Sequence, residues 1–235
     1  MNFDLLICDF DGTLCATREA ICYCLSATFE QCGLNVPLPE TIADTIGRGI
    51  TLDATIRCLQ PVLTDSHVER LIRTYRSIYN GGVGEERTRL YPGVHETLAA
   101  LHRHGCKVVI ISNKGEVAIH NALVRFAVAP FVQLVVGERP AVAGKPHPAP
   151  YVQVIKPAFP EIGCARTLVV GDTAADIRFA RTIGAQACWA AYGYGDWTQC
   201  QSLNPDFTIT DANEIWQLIV PDVRPALANQ HDIAG

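Results

Sequence analysis

Basic residues are in short supply: Lys and Arg total 19 against 24 Asp and Glu, giving a net charge of −5 and a pI near 5.8. No stretch concentrates positive charge, which argues against a nucleic-acid surface. No apolar run is long enough to span a bilayer. The start, Met1-Asn2-Phe3-Asp4, lacks the basic opening of a signal peptide. A soluble, cytoplasmic protein without membrane or nucleic-acid partners is expected. No two of the ten cysteines show Cys-x-x-Cys spacing, which excludes the usual zinc and dithiol redox patterns. They read instead as buried free thiols, with Cys8 and Cys188 in core strands and Cys24 and Cys32 on a helix stripe. What is present is ordinary for a globular chain of 235 residues, 49% hydrophobic and 18% charged, and large enough to bury a sizeable core.

The apolar pattern changes its period along the chain. Phe3 to Cys8 is a short buried run, read as a strand. Helical spacing follows at Ala20, Ile21, Cys24, Leu25, Phe29 and Cys32, then at Leu52, Ile56 and Leu59, then from Val68 to Tyr79. Gly81-Gly82-Val83-Gly84 reads as a hinge or linker, and no strand is expected between Cys15 and Arg87. After that, strands near 107–111, 132–136, 167–170 and 186–190 alternate with helices near 94–101, 116–127, 150–158 and 174–183. Alternation of this kind implies a parallel sheet with covered faces. The expected fold is α/β, a Rossmann-like parallel sheet formed by residues 1–14 and 89–220. Residues 15–88 form an inserted all-helical cap, and 221–235 a poorly ordered tail.

Four chemical signals sit at the ends of these strands, where open α/β sheets place ligands. Asp9-Phe10-Asp11-Gly12-Thr13 follows the first strand. Two carboxylates this close call for a hard cation, and one of them is free to act as a nucleophile. Ser112-Asn113-Lys114 follows the strand at 107–111, where a hydroxyl and backbone amides can hold a phosphoryl oxygen, although Ser-Asn is also a common helix cap. Lys145 stands in the rigid segment Gly144-Lys145-Pro146-His147-Pro148. Gly171-Asp172-Thr173-Ala174-Ala175-Asp176 leaves a strand and opens a helix, with Asp176 one turn beyond Asp172.

This ordered set resembles the haloacid dehalogenase superfamily, and within it the phosphoglycolate phosphatases. The subgroup likeness rests on Ser112-Asn113-Lys114, Gly144-Lys145-Pro146, Tyr192-Gly193-Tyr194-Gly195 and Pro205-Asp206. The resemblance implies a phosphatase that acts on a small phosphorylated metabolite, as a monomer or homodimer. It implies Asp9 as nucleophile, forming an aspartyl-phosphate, and Asp11 as general acid and base. Ser112 and Lys145 would neutralise phosphoryl charge. Asp9, the Asp11 carbonyl and Asp172 would hold Mg²⁺, with Asp176 supporting Lys145 or the ion's water. Thr13, Asn113 and Arg48 are the expected substrate-side contacts. Gly47 and Gly49 would let the Arg48 turn approach the site, with Arg48 reading a carboxylate or phosphate; the alternative is an ordinary surface arginine beside two turn glycines.

Several rivals share this pattern. Dehalogenases of the superfamily lack the second Asp of the first motif, which is present here as Asp11. Phosphonate-cleaving relatives need a cap lysine, whereas all four lysines, Lys107, Lys114, Lys145 and Lys156, follow the expected cap. A sugar-phosphate mutase, a pyrophosphatase or a 5′-nucleotidase keeps the same core. A phospho-acceptor signalling domain or a silent binding module is the non-enzyme alternative. A large helical insertion argues against the signalling domain.

Overall fold

The computed structural model describes residues 2–139 and 142–220; the expected tail lies outside the described residues. In chain order the elements are β1 (Leu5–Cys8), β2 (Cys15–Ala16), α1 (Arg18–Gln31), α2 (Pro39–Ile46), α3 (Leu52–Leu59), α4 (Asp65–Ile78), α5 (Gly84–Arg87) and β3 (Arg89–Leu90). They continue with α6 (Val94–Arg103), β4 (Lys107–Gly115), α7 (Glu116–Arg125), β5 (Leu134–Glu138), α8 (Lys156–Ala158) and β6 (Thr167–Gly171). The chain then forms α9 (Ala174–Ile183), β7 (Gln186–Ala190), α10 (Trp197–Ser202), β8 (Phe207–Ile209) and α11 (Glu214–Ile219).

Six strands form one parallel sheet in the order β5-β4-β1-β6-β7-β8. The connections run outward in opposite directions from β1, so the C-terminal end of β1 lies at the topological switch point. All four β1 residues are buried, because both faces of the sheet are covered. Leu6, Cys8, Val108, Ile110, Leu168 and Val170 pack on one face. Leu5, Ile7, Val109, Ile111 and Val169 pack on the other with Ile177 and Phe179 of α9. This period of two explains why these strands read as continuous apolar runs.

Helices α1 to α5 lie between β2 and β3 and have an apolar cluster of their own: Ala20, Cys24, Leu25, Phe29, Ile42, Ile56, Val68, Leu71, Tyr75 and Tyr79. Thr51 and Thr64 cap α3 and α4, their hydroxyls accepting from Ala54 N and His67 N. Three local expectations need correction. Residues 15–87 do contain a strand: Cys15–Ala16 pairs antiparallel with Arg89–Leu90, closing the base of the insertion as a two-residue ribbon. Gly81 to Gly84 is no open linker, because a π-turn over Tyr79–Val83 runs straight into α5, with Gly82 at φ +107° absorbing the kink. The expected helix at 150–158 is a π-turn over Tyr151–Ile155 followed by the short α8. No helix among the described residues is long and apolar enough to cross a membrane.

Candidate active site

The three main carboxylates come from the switch point. Asp9 follows β1, its N–H bonding to Val170 O at 2.9 Å, while Asp172 follows β6, the strand beside β1. Asp176 belongs to the first turn of α9, and all three are buried. One oxygen from each lies within 4.8 Å of the others. Such crowding needs compensation, and Lys145, itself buried, supplies part of it. Its Nζ stands 2.7 Å from Asp9 Oδ1 and 2.5 Å from Asp176 Oδ1. Burial pushes the Asp9 carboxyl up from 3.8 to about 6, against the pull of Lys145 and with help from Asp176. Burial likewise raises Asp172 well above the usual carboxylate range, with Asp9 and Asp176 adding to it. Burial works against the Lys145 charge, but Asp176 and Asp9 outweigh it and hold the amine above its ordinary value.

The remaining contacts sort these carboxylates by role. Asp176 Oδ2 accepts from Thr173 N (3.0 Å) and Thr173 Oγ1 (2.7 Å), a reach back to the helix start, while its Oδ1 takes Lys145. Both oxygens are spoken for, so Asp176 positions Lys145 and is poorly placed to serve as an ion ligand. Asp172 accepts Thr13 Oγ1 at 3.2 Å and Tyr194 N at 2.7 Å, one bond per oxygen. Asp9 Oδ1 and Asp11 Oδ1 are buried and met only by ammonium groups, Lys145 Nζ at 2.7 Å and Lys114 Nζ at 3.2 Å. Three buried carboxylates against the one ammonium of Lys145 leave negative charge uncompensated in an all-oxygen donor set, which fits a hard divalent cation beside Asp9 and Asp172. The backbone keeps this site tight: a Cβ on Gly12 or Gly193 would overlap the Asp172 carboxylate.

A cavity of about 550 Å³ opens over the carboxylates. Asp9, Asp11, Ser112 and Lys145 line it from the sheet, and Ile21, Leu25, Ile50 and Leu52 from the helical insertion. Ser112 is buried there at the end of β4. The turn after α2 does come close, because a Cβ on Gly49 would strike the Thr173 side chain and one on Gly47 would strike Tyr194 O.

The three expected substrate-side residues are placed differently. Arg48 is exposed and lines a separate pocket with Arg18, Asp44 and Gln199, its Nη1 lying 3.9 Å from Cys58 Sγ. Thr13 is fully buried and holds Asp172. Asn113 lines the cavity, but its amide is already used: Oδ1 accepts from Lys145 N (3.0 Å), and Nδ2 donates to Lys145 O (3.1 Å) and Gly49 O (2.8 Å). It clamps the Lys145 loop to the turn of the insertion. Sequence reasoning missed two contributors. Tyr194 fixes Asp172 through its N–H, and its hydroxyl oxygen accepts from Arg18 N at 2.9 Å at the start of α1. The side chain of Lys114 is 8% exposed, with Nζ 3.2 Å from Asp11 Oδ1 and 4.0 Å from the Tyr79 ring centre. Burial works against its charge, but Asp11, Tyr79 and Tyr75 outweigh it. Ser112 and Lys114 are two apart in an extended segment, a spacing that puts both on one side.

Comparison with known proteins agrees with this geometry. The family model described as haloacid dehalogenase-like hydrolase matches residues 6–190. A phosphoglycolate phosphatase of Aquifex aeolicus is 29% identical over 217 residues, covering 92% of this chain and 96% of that protein. Pyrophosphatase PpaX of Halalkalibacterium halodurans is 26% identical over 228 residues, covering 93% and 98%. The crystal structure of a predicted phosphoglycolate phosphatase from Haemophilus somnus superposes with a TM-score of 0.81 at 24% identity, covering 93% and 98%, and shows the shared fold. With four-fifths of its length matched and a crevice built from the ends of β1, β4 and β6, the chain belongs to the haloacid dehalogenase-like hydrolases.

Proposed function

We propose that this protein is a Mg²⁺-dependent phosphatase that cleaves a small phosphate monoester through an aspartyl-phosphate on Asp9, with phosphoglycolate as the lead substrate. The observation that carries the reading is the Asp9 carboxylate: buried at the end of β1, ion-paired to Lys145 at 2.7 Å, crowded by Asp172 and Asp176, and lining the cavity. In the first step an Asp9 oxygen bonds to phosphorus while the bond from phosphorus to the ester oxygen breaks, and Asp11 hands its proton to that oxygen. In the second step water gives a proton to Asp11 and bonds to phosphorus, releasing inorganic phosphate and restoring the Asp9 carboxylate. Lys145 and Ser112 offset the charge that develops on the phosphoryl oxygens. Asp176 holds Lys145 in place, and Asn113 fixes the backbone on which it rides. Asp9 and Asp172, with the Asp11 carbonyl, would hold Mg²⁺, which when bound supplies charge neutralisation for the phosphoryl group.

In this reading α1 to α5 are the cap that covers the crevice and shapes selectivity. A reducing, cytoplasmic setting fits the ten free thiols, of which Cys8, Cys15, Cys24, Cys106, Cys188 and Cys200 are buried. The relatives named phosphoglycolate phosphatase favour that ester, and PpaX keeps pyrophosphate as the second reading. The apolar wall of Ile21, Leu25 and Leu52 suits a carbon-bearing ester better than pyrophosphate. The test is phosphate release from a panel of phosphoglycolate, alkyl and sugar phosphates, nucleoside monophosphates and pyrophosphate, with Mg²⁺ and after chelation. Phosphoglycolate should rank first in kcat/KM, and activity should vanish with chelation and return with Mg²⁺. Isomerised sugar phosphate without release of phosphate would instead establish a mutase.

A further inference from the structure

Four cations surround the cavity among the described residues: Arg76, Lys114, Arg139 and Lys145. Three are tied to carboxylates outside the leaving-group side. Arg76 pairs with Glu138 at 2.9 Å, Arg139 with Glu116 at 2.6 Å, and Lys145 with Asp9 and Asp176. Lys114 differs, because the carboxylate beside it is Asp11, the group that must meet the leaving oxygen. Its ammonium is also held over the Tyr79 ring, a contact that fixes a cation without cancelling its charge.

We propose that Lys114 is the specificity-determining residue of this site: it pairs with a carboxylate borne on the carbon next to the ester oxygen, selecting α-carboxylated phosphate esters. The inference rests on the phosphatase reading above and deepens it. Geometry supports it. The leaving oxygen must come within hydrogen-bond reach of Asp11, and in such an ester the carboxylate oxygens lie about 3 Å beyond it. A Lys Nζ 3.2 Å from Asp11 Oδ1 can therefore reach them. The facing insertion contributes one cation to the cavity, Arg76 of α4, and Glu138 engages it at 2.9 Å. Arg48, the cation expected from sequence, faces a different pocket.

The test compares 2-phosphoglycolate with ethyl phosphate, an ester of similar size without the carboxylate. kcat/KM is measured for both with the full chain in Mg²⁺, for wild type, Lys114→Met and Lys114→Arg. Loss of the Asp11 contact should slow both substrates, so the ratio of the two kcat/KM values isolates carboxylate reading. Lys114→Met should lower that ratio about 10- to 100-fold, the scale of a charged hydrogen bond, mainly through KM for phosphoglycolate. Lys114→Arg should restore part of it. If Lys114→Met does not fold, judged by circular dichroism, Lys114→Gln takes its place. An unchanged ratio overturns the assignment and leaves Lys114 as a support for Asp11. A wild type that cleaves both esters equally well also overturns it, without touching the phosphatase reading. A wild type that cleaves neither defeats the phosphatase reading itself.

Discussion

Replacing Asp9 with Asn separates catalysis from stability, because the two should move in opposite directions. The Asp9 carboxyl has its midpoint raised by burial from 3.8 to about 6. Between those values the folded chain holds a proton that the unfolded chain releases, so stability falls as pH rises through this window and stays lower above it. A rise of this size corresponds to ~3 kcal/mol at neutral pH in metal-free protein. Asp9→Asn removes that cost. Lys145 loses one partner but keeps Asp176 at 2.5 Å, so its charge is not stranded. A net gain of ~1–3 kcal/mol remains, roughly 3–10 °C in Tm for a chain of this size. The assay is thermal unfolding in chelator at pH 5 and pH 8, alongside phosphate release in Mg²⁺. The gap in Tm should open at the higher pH, and turnover should fall at least ~10³-fold. Added Mg²⁺ should raise the Tm of wild type more than that of the variant. Near-normal turnover would refute Asp9 as nucleophile. A variant less stable than wild type at pH 8 without metal would refute the electrostatic argument.

Two further outcomes follow from neighbouring contacts. Asp11→Asn should slow the first step ~10²-fold or more on alkyl phosphates and much less on p-nitrophenyl phosphate, whose leaving group needs little protonation; equal losses in rapid-quench measurements would contradict the acid role. Asn113→Ala removes three hydrogen bonds between the insertion, the Lys145 loop and β4, so unfolding stability should fall ~2–4 kcal/mol and kcat/KM should fall with it. Unchanged values for both would mean that the clamp is idle.

Much of this framework is legible without coordinates, for a physical reason. β1, β4, β6 and β7 are buried on both faces, so each stands out as an apolar run; Asp9 and Asp172 follow directly at the ends of β1 and β6, and Ser112 comes where the apolar part of β4 stops. The elements that escaped are those specified by partners more than by their own residues. The Cys15–Ala16 ribbon exists only because Arg89–Leu90 lies beside it. β8 is a three-residue edge strand, too short to show a period. α2 has eight residues and only Ile42 and Thr45 buried, although Pro39 in its first turn was a readable start mark. Side-chain direction is harder still. Ser112, Asn113 and Lys114 are adjacent in sequence, yet Asn113 is spent holding the Lys145 loop, and Lys114 approaches Asp11.

Arg48 shows where reasoning from turn residues stops. The two glycines predict a close approach, and the structure shows one at each: Gly47 against Tyr194 O, and Gly49, at φ +64°, against Thr173. An approach that close is made by backbone, and it succeeds because those positions carry no Cβ. The residue between them has a long charged side chain and no room on the same side, so Arg48 turns outward to solvent. The glycines that bring the turn to the site therefore carry its arginine away from it. A positive charge that reads substrate has to stand on an element whose side chains, not its backbone, face the cavity. The last part of β4 meets that requirement, because Ser112 lines the cavity and Lys114, two residues on, stands beside Asp11.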